Sequence, residues 1–128
     1  MNLTEPSQVI IMKHAIAYRW EDMKQDSPMP LLSRKRIMGE KMMISEITLH
    51  KGCEVPLHSH ENEQFSVVLS GWLRFTTTSE GTSHQHDVRG GEVLHLPSHV
   101  PHSVVAMEQT LVLDLFSPPS ATTGIDRK

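Results

Sequence analysis

Apolar and polar residues alternate along much of the chain in short runs, each closed by glycine, proline or small polar residues. An alternation of period two marks strands with one face buried. Residues 32–38 mix basic and apolar positions and are a strand candidate, and residues 41–50 (KMMISEITLH) are a better one. Residues 72–78 (WLRFTTT) are aromatic and β-branched, which favours a strand. Residues 84–88 and 92–96 read as short strands, and residues 103–107 and 110–116 as a final pair joined at Glu108 and Gln109. Residues 14–23 read as a short strand followed by a turn led by Glu21 and Asp22, and residues 26–30 (DSPMP) as a loop. Turns are expected at Gly39-Glu40, around Gly81, at Gly90-Gly91 and over residues 97–101. No stretch carries a capped helical period, so the expected class is all-β, a sandwich or barrel.

The length of 128 residues allows one domain with a real core. The expected organisation is an arm or edge strand over residues 1–13, a barrel over 14–118 and a tail over 119–128 that wraps or frays. Met12 is a second candidate translation start, with residues 1–11 then an upstream extension. A net charge of −3 with no Lys/Arg run argues against a nucleic-acid partner. The single cysteine, Cys53, cannot close an internal disulfide, which fits a cytoplasmic setting. The apolar run over residues 9–12 is far too short for a signal peptide or a membrane span. Nine histidines are the compositional oddity, because they are scattered rather than gathered in a run.

Two of them organise the chain. His58 and His60 lie in residues 52–71 (GCEVPLHSHENEQFSVVLSG), two apart in an extended stretch, so both imidazoles aim to one side. Continuing the alternation puts Gln64 on that face and Glu63 on the other. His102, just after Pro101, adds a further candidate. Three imidazoles and an amide oxygen suit a divalent transition ion and leave open positions on it, the mark of a catalytic rather than a structural site. Without a carboxylate the ion keeps its full charge, which favours polarisation of a substrate oxygen over O₂ chemistry. The bland alternative is a pair of surface histidines.

Asp114 is the second candidate. In residues 111–116 it shares a face with Val112 and Phe116, and burying an acid there is costly without a purpose. Facing the metal it would be a general acid/base; otherwise it would pair with Arg74 or Arg36. Arg34 and Arg36 are candidates for binding a substrate carboxylate, against a solvated strand. Met43 and Trp72 are candidates to line a pocket, against core or dimer-interface roles. His50, His84, His86, His95 and His99 take structural or surface roles.

Residues 52–71 resemble the first motif of the cupin family: glycine, HxH, an acid position and a closing glycine, with Gln64 at the acid position. Gly91, Pro97 and His102 resemble the second, with His99 and Ala106 replacing its usual glycine and asparagine. The resemblance implies a jelly-roll barrel, commonly dimeric, with one divalent metal (nickel, zinc, iron or manganese) in its mouth. HSHENEQ, VPHSVVA and LDLFSPP resemble the small cupins of pectin degradation, which convert cyclic 4,5-unsaturated uronates to linear keto sugars. That likeness implies His58, His60, Gln64 and His102 as ligands, Asp114 as the catalytic acid and a carboxylated sugar as substrate. Two alternatives stay open: an iron- or manganese-dependent cupin oxygenase, and a non-catalytic binding or sensor module.

Overall fold

A computed structural model of the chain describes residues 13–126, so the expected N-terminal arm lies outside the described residues except for Lys13. A 3₁₀ turn over Trp20–Asp22 precedes ten strands: β1 (Asp26–Met29), β2 (Leu32–Met38), β3 (Met43–Leu49), β4 (Glu54–His58), β5 (Glu63–Ser70), β6 (Trp72–Ser79), β7 (Thr82–Arg89), β8 (Val93–Leu96), β9 (His102–Ala106) and β10 (Thr110–Ser117). They form two antiparallel sheets, ordered β1-β2-β3-β10-β5-β8 and β4-β9-β6-β7. Strict alternation in β3 and β10 buries every second residue. Ile47, Leu49, Val68, Val112, Leu73, Phe75 and Val104 meet between the sheets as the core.

Three local expectations differ from the structure. Residues 14–19 form no strand, and only the turn at Trp20–Asp22 is regular. Residues 26–29, expected as loop, form edge strand β1, where Pro28 is tolerated because one side of an edge needs no donor. The hydroxyl of Ser27 donates to the Leu32 carbonyl at 2.7 Å and steadies that edge. Strands β9 and β10 are not a hairpin pair: β9 lies between β4 and β6, and β10 between β3 and β5. The link at Glu108-Gln109 therefore crosses from one sheet to the other. Period two reports which face is buried but not which strand lies alongside.

Gly71 makes the tight step between β5 and β6. Its φ is +100°, and a Cβ there would lie 2.6 Å from the Thr110 Cα, so only glycine fits. At the far end of the chain, residues 118–126 fold back over the barrel. Thr123 is buried, and Ile125 packs against the core.

Candidate metal centre

His58 ends β4 and His102 opens β9, and the two face each other directly in register. His60 lies in the link after β4, not on a strand as the alternation predicts; the chain turns there and returns as β5, whose second residue is Gln64. The convergence survives because the turn brings His60 back over Gln64, with Nε2 to Oε1 at 3.0 Å. One ligand atom from each of His58, His60 and His102 lies within 4.8 Å of the others.

The tautomers follow from the backbone. The Nδ1–H of His58 donates to Pro56 O at 2.7 Å, that of His60 to Asn62 O at 3.0 Å, and that of His102 to Val100 O at 2.9 Å. A neutral imidazole that donates from Nδ1 carries its lone pair on Nε2. Such outer bonds fix ring orientation in metal sites. Gln64 is oriented too: its Nε2 donates to Ser66 Oγ at 2.9 Å, which turns Oε1 toward His60. Two acceptor atoms therefore face each other at 3.0 Å. That arrangement is repulsive unless a positive charge sits against both, so the donor set fits a divalent transition ion held by His58, His60, His102 and Gln64. Burial, which disfavours the charged form, holds the His102 pKa down to about 4, opposed by the Val100 bond and aided by the neighbouring histidines. The ring is thus neutral, as a ligand must be.

Asp114 lies on the same inner surface. Its neighbours across the sheet are Ser45 of β3 and Ser66 of β5, both buried. Ser66 Oγ donates to Asp114 Oδ1 at 2.6 Å, so a chain of hydrogen bonds runs Gln64–Ser66–Asp114. Asp114 is 7% exposed. Burial raises its pKa to about 6, with the bonds from Ser66 and Gln64 pulling the other way. Neither arginine that might have neutralised it is engaged there: Arg74 pairs with Asp87, and Arg36 donates to Ala121 O.

A rolled pair of antiparallel sheets with three histidines at one end has known counterparts. The Cupin domain family matches residues 45–116. The chain belongs to the cupin family. Among solved structures it is similar to KdgF from Halomonas sp. (24% identity, 84% of this chain and 97% of that one, TM-score 0.75). It is also similar to an RmlC-like cupin from Shewanella frigidimarina (23%, 85% and 95%, 0.73). A third is oxalate decarboxylase from Bacillus subtilis (22%, 86% and 32%, 0.76), of which it spans about a third. At these identities the likeness establishes the fold. No curated protein matches the sequence.

The cupin barrel encloses a cavity beneath the histidines. His58, Gln64, His102, Asp114 and Thr123 give it a polar end, and residues such as Ile47, Phe75, Val112, Phe116 and Ile125 an apolar body. The other predicted site residues do not line it. Arg34 is buried and bound to Asp26 and Asp126, and Arg36 sits at the outer edge beside Asp26. Met43 is core. Trp72, on β6, packs under Arg89 of β7 and donates its indole N–H to Asp87 at 2.8 Å. His95 bonds Glu63, and His99 takes a left-handed φ of 69°.

Four site residues escaped the sequence reading. Ser66 was findable, because the alternation that selected Gln64 puts Ser66 next on the same face. Phe116, whose ring lies 5.8 Å from that of His60, shares the face of Asp114. Thr123 and Asp126 left no local signal, because the folding back of the tail sets their positions. Among the described residues, no helix is long and apolar enough to cross a membrane.

Proposed function

We propose that this cupin is a metal-dependent enzyme acting on a small acidic sugar, adding water to a 4,5-unsaturated uronate and opening the resulting hemiketal to a linear keto sugar. The observation that carries this reading is a buried acid with no cationic partner among the described residues, joined through Ser66 to the Gln64 amide beside a three-histidine cluster. A divalent ion held by His58, His60, His102 and Gln64 supplies Lewis-acid polarisation of a sugar oxygen. The protein does the rest. Asp114, with a pKa near 6, carries the proton that hydration moves to carbon. Ser66 fixes which carboxylate oxygen is already engaged. Phe116, Val112 and Ile47 keep bulk water from the ring.

The proposed setting is cytoplasmic, and the proposed assembly is a homodimer. The outer face of the six-stranded sheet supports the latter: Phe65, Leu69 and Val93 are exposed there, beside half-buried Leu111, Leu113 and Leu115. Such a face is larger than scattered surface apolar residues require.

The test mixes the metal-loaded protein with a polysaccharide-lyase digest and follows the unsaturated uronate by proton NMR. Loss of the vinyl proton faster than in a protein-free control is expected. No acceleration removes the hydration reading. Oxygen uptake coupled to product formation would replace it with an oxygenase, and tight ligand binding without turnover with a sensor.

A further inference from the structure

The tail does more than cover the barrel. Residues 118–126 cross its open end as a strap held at several points. Asn62 Nδ2 donates to Pro118 O, Arg36 Nη1 to Ala121 O at 2.9 Å, and Arg34 to Asp126. The last contact is a two-pronged fork, Nη2 to Oδ1 at 2.6 Å and Nη1 to Oδ2 at 3.0 Å. Arg34 is 2% exposed and also bonds Asp26 at 2.9 and 3.0 Å. Between these anchors Gly124 lies on the ring of His58. Its φ is +94°, and a Cβ there would come within 2.6 Å of His58 Nε2.

With the strap in place the cavity has about 30 Å³ of room for water centres, enough for about two waters and not for a hexuronate ring. Thr123 and Ile125 supply part of its wall. A sugar can therefore enter the cavity beneath the histidines only when the strap yields. On its outer side, Gly124 and His58 border an open depression with Leu57, Ser59 and Pro101, which gives the strap somewhere to go.

The sheet register places Arg34 in the row Arg34–Ile47–Val112, next to the row that holds Asp114. The two residues are two strands and two positions apart, roughly 10 Å across and roughly 7 Å along the strands. A monosaccharide and an arginine side chain together span that gap. A planar guanidinium recognises a carboxylate in two-pronged fashion, and in a buried site that recognition is strong. Arg34, buried beside the cavity-lining Leu32 and Ile47, is thus occupied by an acid of the same chain.

We infer that Arg34 is the carboxylate subsite of this cupin and that Asp126 is its internal occupant: an incoming carboxylate takes the fork, Asp126 leaves and the strap opens over the histidines. This rests on the acidic-sugar reading above and deepens it. An equilibrium of this kind taxes binding, because only the open fraction accepts ligand. Removing the competitor should remove the tax.

D-Galacturonate and its neutral counterpart D-galactose are suitable probes, titrated into the full chain by calorimetry while hydrogen exchange follows residues 119–126. Galacturonate should speed exchange in the strap, and galactose should not. Asp126→Asn, which keeps the shape and loses the charge, should bind galacturonate about tenfold tighter. Gly124→Ala, which cannot lie on His58, should do the same while leaving Arg34 and both acids intact. Arg34→Lys, which keeps the charge and loses the fork, should bind it about tenfold more weakly. Equal galacturonate affinity in wild type and Asp126→Asn, or no binding to either, overturns the inference whether or not Arg34→Lys folds. Tightening without turnover of a lyase digest leaves the subsite and withdraws the hydration reading. Turnover with no effect of Asp126→Asn does the reverse.

Discussion

The two acids on Arg34 and the lone acid on β10 differ in partner and in depth. On β2, the guanidinium of Arg34 stands between Asp26 and Asp126, with bonds of 2.6–3.0 Å to both. On β10, Asp114 is more deeply placed and meets only neutral groups among the described residues, the hydroxyl of Ser66 and the amide of Gln64. The bonds from Arg34 lower the pKa of Asp26 despite its partial burial. Burial of Asp126 is outweighed by the bonds and charge of Arg34, so its pKa is lowered too. Burial of Asp114 wins, and its pKa rises to about 6. A neutralised acid fixes structure. An acid left without a cation in a cavity lined by histidines keeps a proton within reach of neutral pH, and this asymmetry is why chemistry is assigned to one cluster and closure to the other.

The largest expected effect tests that assignment directly. Asp114→Asn should lower kcat on the unsaturated uronate by about 10²–10⁴-fold, the usual worth of a positioned acid/base, with the metal content unchanged. An Asn variant that turns over normally would reduce Asp114 to a packing residue. Next comes Arg34→Met, which leaves two carboxylates facing each other without their cation. It should destabilise the fold by about 3–4 kcal/mol in urea unfolding, short of the extreme for buried pairs because Asp26 is half exposed. A loss below about 1 kcal/mol would mean that the cluster on β2 is a surface pair in effect.

The two clusters should also answer acid with opposite signs. Asp26 and Asp126 have lowered folded pKa values, so their contribution is present above the ordinary carboxylate range and is lost as pH falls through the folded values. Asp114 runs the other way. Between 3.8 and about 6 the native state holds a proton that the unfolded chain has released, so stability rises as pH falls through that window. At about 1.4 kcal/mol per pH unit this is worth about 3 kcal/mol. His102 opposes it, because between 6.5 and about 4 the unfolded chain takes up a proton that the native ring refuses. In metal-free protein the two nearly cancel. Asp114→Asn should therefore turn a flat stability profile between pH 6 and 4 into one that falls by about 3 kcal/mol on acidification, as measured by thermal unfolding at each pH. A profile in the variant as flat as the parent's would show that Asp114 is ionised in the native state.

How much of this the sequence disclosed depends on distance along the chain. The strands over residues 43–49, 72–79 and 110–117 follow from local composition and alternation, because each buries one face of a two-layer fold. The same period groups Asp114 with Val112 and Phe116, and the structure turns that face inward. His60 and Gln64 came out together although one premise differed, since a turn rather than a continuous strand unites them. The exchange of sheets between β9 and β10 was not legible, because period two does not encode a partner. Nor was the fate of Arg34, whose two acids lie 8 and 92 residues away. Ion pairs across such separations are products of the finished topology and leave no local pattern.

The smallest predicted effect is the most discriminating. Ser66 donates to Asp114 at 2.6 Å, the larger of the two hydrogen-bond effects on that acid, and it also accepts from the amide of Gln64. Ser66→Ala removes a bond that favours the charged carboxylate, so the pKa of Asp114 should climb further and the alkaline limb of the rate profile, where Asp114 has lost its proton, should move toward higher pH. It also releases the Gln64 amide, whose orientation toward His60 depends on that bond, so metal affinity should fall by about tenfold, as for other residues that orient a ligand from behind. Stability should drop by only about 1 kcal/mol, the net worth of a buried hydrogen bond. The three readouts separate three roles. A moved pH limb with unchanged metal affinity ties Ser66 to the acid alone, and weaker metal with an unmoved limb ties it to Gln64 alone. If neither moves, the chain of bonds from amide to acid carries no coupling, and Asp114 and the histidine cluster are neighbours rather than one site.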